Sequence, residues 1–292
     1  MRKGDPGELL PRAPEPLDPG GEWVTSAGGP LRLWWEAVGR VRRLRRPRWW
    51  EEVLFIGLSY LLYSTVRNAA PDHAVAAFHR AYALLHFEHD THIDVEHTFN
   101  RIIASSAWLA YASTYWYAAM HFIVTIGVLA WVYVRHPLRY RPIRMVLYTT
   151  NVLALGGFWF YALAPPRMLP GFVDTVDRYP TAWGSWDTAG VAKLSNQLAA
   201  MPSLHIGWST WAGLVVFKLA KHRWARIAGL AYPLITTFVI LGTANHFLLD
   251  AVGGLAVLAL SFLVERMVFG RPAFDSPAQV RRRAPWHRRP TS

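Results

Sequence analysis

A chain of 292 residues that is 52% hydrophobic, with 15 Trp and a mean hydropathy of only +0.13, fits either one large soluble domain or a polytopic membrane protein. A formal charge of +12 raises nucleic acid as a partner, a reading that the distribution of the charge excludes below. With no cysteine, neither disulfides nor thiol chemistry can operate.

In chain order, Met1 to Gly29 is rich in Pro and Gly and holds no apolar h-region, so residues 1–48 are expected to be a disordered basic cytoplasmic region rather than a signal peptide. It runs into "RVRRLRRPRWW" (Arg40 to Trp50), read as a juxtamembrane anchor for anionic lipid headgroups with interfacial tryptophans. Six stretches then follow that are long enough and poor enough in charge to cross a hydrocarbon core of about 30 Å as helices of roughly 20 residues. They lie near Glu51 to Arg67, Ala107 to Val134, Ile143 to Leu163, Ser203 to Leu219, Trp224 to Thr243 and Phe247 to Phe269. The second exceeds one span, which implies tilt or an interfacial start, and the fourth is barely long enough. A buried soluble core is the alternative, but six such runs are hard to cover with the remaining polar residues. The expected fold is all-α: a six-transmembrane-helix bundle over residues 49–269, followed by a disordered basic tail, 270–292. No internal repeat or inverted symmetry of the transporter kind is visible.

Between the first two stretches, "HFEHDTHIDVEH" (His86 to His97) repeats His86, His89 and His92 at a spacing that allows a metal site. No single helix face also holds His97, so an interfacial helix pair, with Ala74 to Leu85 as its first half, is the favoured reading. His121 sits among apolar neighbours in the second stretch. It is either a hydrogen-bonding residue between helices or a second-tier member of a site.

Ten Lys and Arg precede the first stretch, four lie at 135–144, four at 218–226 and seven at 266–289, all on one side if six helices alternate. Only Arg67, Arg80, Arg101, Arg167, Arg178 and Lys193 fall on the other. The positive-inside rule therefore puts both termini in the cytoplasm, and the charge belongs to a membrane surface rather than to nucleic acid.

Three polar clusters gather on the extracytoplasmic side: "APPRMLP" (Ala164 to Pro170), "MPSLH" (Met201 to His205) and "NHFLLD" (Asn245 to Asp250). Each has a logic for holding phosphate. Pro202 favours a first helical turn, which would put Ser203 and the following amides at a helix N-terminus that attracts anions, with His205 projecting from it. His246 and Asp250, at i and i+4, would share a helix face, where a carboxylate orients an imidazole. Arg167 offers a planar fork for phosphate oxygens. The loop Phe172 to Leu198, with Asp174, Asp177, Trp183 and Trp186, is either a lid or headgroup reader or a solvated connector.

These residues resemble the type-2 phosphatidic acid phosphatase superfamily, and its branch related to inositol phosphorylceramide synthases, over roughly Leu54 to Met267. P-S-x-H matches Pro202, Ser203 and His205; H-x-x-x-D matches His246 and Asp250; the first-motif arginine matches Arg167 in the "APPR" form of that branch. Two family cations are missing, since Phe160 and Ile240 stand in their places, which speaks against simple phosphatase activity and for the transferase-like branch. Asn245 and Lys193 are candidate substitutes in binding phosphate. The resemblance implies His246 as nucleophile oriented by Asp250, and His205 as acid and then base. It implies Arg167 and Ser203 as phosphate ligands, a phosphohistidine intermediate, and no metal or cofactor. It implies a lipid phosphate substrate and a place in the plasma membrane. The alternative is a non-enzymatic transporter or scaffold keeping a degenerate phosphate site, which has no need for two imidazoles backed by a carboxylate.

Overall fold

The computed structural model describes residues 48–68, 74–182 and 197–275, all within one unit, Arg46–Ser292. The basic N-terminal region up to residue 47, the loop positions Trp183, Trp186 and Lys193, and the tail from residue 276 lie outside the described residues.

The described residues contain ten α-helices and no strand. In order they are α1 (Trp49–Asn68), α2 (Ala74–Asp90), α3 (Glu96–Ala104), α4 (Ala107–Tyr115), α5 (His121–Arg135), α6 (Pro137–Phe160), α7 (Thr175–Arg178), α8 (Leu204–Leu219), α9 (Arg223–Gly242) and α10 (Leu248–Phe269). A π-helical turn, Trp116–Met120, joins α4 and α5 into one rod. Pro137 opens α6, where its missing N–H is no loss, and Gly270 ends α10 at φ 63°, a left-handed cap that suits glycine.

Three of these helical rods are long and apolar enough to cross a membrane: Ala107–Arg135, Arg223–Gly242 and Leu248–Phe269. Helices also stand at the other three expected positions, but each falls short by length or composition. α8 has 16 residues, α1 opens with Glu51 and Glu52, and α6 opens with Arg139, Arg141 and Arg144. Two of those charges meet: Glu52 bonds to the Arg144 guanidinium and accepts from the Tyr140 hydroxyl at 3.0 Å.

The bundle is apolar outside and partly polar inside. Leu61, Ile123, Ile126, Val152, Leu234 and Leu263 are more than half exposed, whereas Thr114, Thr150, Ser209, Thr236 and Ser261 are buried. Thr150 donates to Ser261 at 3.1 Å and the Trp116 indole to Thr236 at 3.2 Å, the kind of interhelical polar bond that holds helices together where lipid surrounds them. α8 is central, packed on α5, α6, α9 and α10 around Trp211, Ala212 and Val215.

The helix pair expected after the first stretch is present as α2 and α3. Its buried residues, Ala77, Ala81 and Glu88 on α2 and Glu96, Asn100 and Ile103 on α3, fall at helical spacing. The face they make lies against protein: Ala77 and Ala81 pack with Leu163, Ala164, Leu169, Ala200 and Phe247. The expectation of a disordered tail from residue 270 needs correction for its first residues. Ala273 is buried, Phe274 packs on Phe262, and Arg271 bonds to the carbonyls of Asp275 and Leu138.

Candidate active site

Backbone hydrogen bonds stitch the three polar clusters together. Leu163 N–H donates to Leu198 O, Arg167 N–H to Ala244 O at 2.8 Å, and Ser203 N–H to Asp250 O at 3.0 Å. Two glycines let the middle cluster in: a Cβ on Gly157 of α6 would strike the Pro202 ring, and one on Gly254 of α10 would strike the Ser203 carbonyl. The Pro-Ser pair is thus wedged between two helices at van der Waals contact.

Two local expectations are corrected by this geometry. Pro202 precedes α8 rather than opening it, and Ser203 is the N-cap residue, held extended by its bond to Asp250 O. The first amide to bond back is Gly207, to Ser203 O, so Leu204, His205 and Ile206 form the opening turn of the helix. His246 likewise lies before α10, not on it; Phe247 is the N-cap and Asp250 the third helical residue. The pairing survives by another route. Asp250 Oδ2 reaches back to accept from Phe247 N–H at 2.9 Å and stands 3.3 Å from His246 Nδ1.

The two motif histidines face each other, with ring centroids 5.6 Å apart. His246 and Asp250 are buried, His205 is half-buried, and Ser203 is fully buried. His246 Nε2 and Ser203 Oγ are buried without a hydrogen-bond partner. Orphaned buried polar atoms carry a free-energy cost, and at converging side chains they mark where a polar ligand would be received.

Arg167 is held on three sides. Its Nε donates to Asn245 Oδ1 at 3.0 Å, Nη1 to Asp174 Oδ2 at 3.1 Å and Nη2 to Gln197 Oε1 at 3.1 Å. Asn245 spends its own amide N–H groups on Thr243, so it enters the site as a brace for Arg167 rather than as a free donor. Asp174 also caps α7 through Val176 and Asp177 N–H, so the described start of the loop from Phe172 is tied to the arginine. Lys193 lies outside the described residues.

His121 joins this group: its ring stands edge-on to His205 at 4.4 Å, and its Nδ1 meets Tyr117 O at 3.0 Å. Sequence reasoning missed Tyr117, whose ring stacks on His205 at 4.3 Å and 20°. Both sit at the π-turn, a wide turn that frequently marks a functional site. It also missed Glu88 and Glu96, which reach α10 from α2 and α3. Burial, and then the charge of Glu96, pushes the Glu88 carboxyl up to about 9; burial raises Glu96 too. The histidines of the same segment disperse: His89 pairs with Asp94 at 2.9 Å and His97 stacks on Phe172. Among the described residues no three His, Asp or Glu side chains are placed to hold a metal ion.

A family profile of the PAP2 superfamily matches residues 82–264, which contain every one of these side chains but not α1. No curated protein and no solved structure matches. With helices apolar enough to span a bilayer and the family's motif residues drawn together at one end of them, this chain is a membrane protein of the PAP2 superfamily, a family of phosphatases and phosphotransferases.

Proposed function

We propose that the chain is a lipid phosphotransferase or phosphatase that works through a phosphohistidine at the extracytoplasmic face of the plasma membrane. The observation that carries this reading is the pair of imidazoles 5.6 Å apart, one backed by Asp250, with Arg167 braced beside them. His246 Nε2 attacks the phosphorus of a lipid ester; the P–O bond to the leaving group breaks, and His205 gives that oxygen its proton. Nδ1–H stays with Asp250, which offsets the positive charge of the phosphoimidazole. An acceptor hydroxyl then loses its proton to His205, bonds to phosphorus and frees His246. Arg167, Ser203 and the amides of Leu204 to Ile206 hold the phosphoryl oxygens.

The fourfold clustering of Lys and Arg at the helix ends away from the site supports the outward-facing orientation. α1, α6 and α8 complete six spans in this reading: Glu52 and Arg144 neutralise each other between α1 and α6, and α8 is sheltered by its neighbours. The charge balance favours transfer over hydrolysis. Arg167 is already offset by Asp174, and Phe160 and Ile240 supply no cation, so a phosphodiester with one negative charge suits the site better than a phosphomonoester with nearly two. This supports the branch related to inositol phosphorylceramide synthases, in which a headgroup passes from one lipid to another.

The test uses the full chain in phosphatidylcholine vesicles, given phosphatidic acid or phosphatidylinositol labelled in the phosphate. A labelled protein is expected that is stable to base, labile to acid, and absent in His246→Ala. Label retained in that variant, or wild-type turnover by it, would sink the reading and leave a binding protein with a degenerate site.

A further inference from the structure

Three consecutive amides open α10, and each donates to a different carboxylate. Phe247 N–H bonds to Asp250 Oδ2 at 2.9 Å, Leu248 N–H to Glu96 Oε1, and Leu249 N–H to Glu88 Oε1 at 2.8 Å. The two glutamates come from α3 and α2, 152 and 161 residues away in sequence. Both are fully buried and share a side-chain hydrogen bond with each other, and Asp250 Oδ1 has no hydrogen-bond partner. Capping alone does not call for this, because a single Ser or Asp closes most helix starts and a buried acid is far costlier.

We propose that Glu88 and Glu96 are positioning residues for His246: they clamp the start of α10 so that Asp250 faces the imidazole, and the single negative charge that the pair shares supports the cationic phosphoimidazole. The inference rests on His246 being the nucleophile. A helix N-terminus carries roughly half a positive charge, which disfavours a cation forming one residue before it. Carboxylates on its first amides cancel that field. The titratable groups facing one another here are Glu88 from α2, Glu96 from α3 with Asp94 just before it, Asp250 from α10 and His246 from the preceding loop. Three carboxyls in one dry spot do not all ionise. Burial, with the charge of Glu96 beside it, keeps the proton on Glu88 at neutral pH.

Glutamine separates these roles, since it keeps the oxygen that accepts from Leu249 or Leu248 and removes the acid. Glu88→Gln copies a protonated glutamic acid and is expected to stay within about threefold of wild-type kcat. Glu88→Gln with Glu96→Gln removes the charge, and a fall in kcat of about 10- to 100-fold is expected with KM within about twofold. If the double variant does not fold, Glu96→Gln alone is read in the same way. The readouts are turnover of bis(p-nitrophenyl) phosphate and the amount of labelled protein formed from phosphatidylinositol by the full chain in vesicles. Wild-type kcat in the charge-free variant would reduce the pair to caps and overturn the inference, as would a loss in Glu88→Gln equal to that in the double variant. No labelled intermediate in the wild type would instead bring down the reading of His246 and this inference with it.

Discussion

Two buried charge clusters sit toward opposite ends of α6, and they are built on opposite principles. At the start of the helix, Glu52 has one oxygen on Arg144 and the other on Tyr140, and the Arg144 guanidinium lies 4.9 to 5.7 Å from the rings of Phe55, Tyr140 and Tyr148. Opposite charges cancel there, and both carboxylate oxygens are satisfied. Beyond the other end, Glu88, Glu96 and Asp250 gather three acids around one imidazole, and His246 Nε2, Ser203 Oγ and Asp250 Oδ1 are buried without partners. A cluster whose charges are paired holds helices together even with Arg144 Nε unmet; one that leaves an imidazole and a hydroxyl unmet beside its acids is arranged for something that arrives later.

Substitutions can break this contrast. His246→Ala is expected to lower lipid turnover by at least about a thousandfold while leaving the unfolding midpoint unchanged within error, because it removes the group that forms the covalent bond. His205→Ala is expected to lose about a hundredfold to ten-thousandfold, and a substrate with a good leaving group should recover part of it, since such an oxygen departs without a proton. Equal recovery in both variants would erase the distinction between nucleophile and acid. Glu52→Ala should behave in the reverse sense, costing about 3 kcal/mol of stability by leaving Arg144 unpaired, with unchanged turnover per folded molecule. A matched loss of turnover would tie the two clusters together.

The smallest expected effect is with pH. Glu88 binds its proton more tightly folded than unfolded, so the stability it contributes is full below about pH 4.5 and is lost as the pH rises through about 9. Unfolding midpoints measured in detergent should therefore fall across that window for the wild type and fall less for Glu88→Gln. A steeper fall in the variant would reverse the assignment of the proton.

What the sequence made legible was local. Apolar runs marked where helices stand, and the Arg167, Pro-Ser-x-His and His-x-x-x-Asp segments marked which ends of them converge. Spacing misled where a helix boundary fell inside a motif: the i, i+4 rule put His246 and Asp250 on one face, whereas His246 lies outside α10 and Asp250 folds back to it. Of the six expected spans three meet the demands of length and composition; α8 is short, and α1 and α6 carry the charges of Glu52 and Arg144, which meet across 92 residues. Glu88 and Glu96 read as the acidic side of an amphipathic segment, since nothing within that segment signals amides more than 150 residues away. Asp174 and Gln197 lie only 7 and 30 residues after Arg167, but no helical or strand spacing marks them as its braces.

The π-turn beside the site also fixes where one proton sits. A carbonyl oxygen can only accept, so the contact between His121 Nδ1 and Tyr117 O requires hydrogen on Nδ1 whatever the charge of the ring. The single position at which His121 can gain or lose a proton is then Nε2, on the far side of the ring from the helix backbone. Beside the half-buried His205, the wide turn of Trp116–Met120 has made a two-tautomer side chain into one with a single outlet.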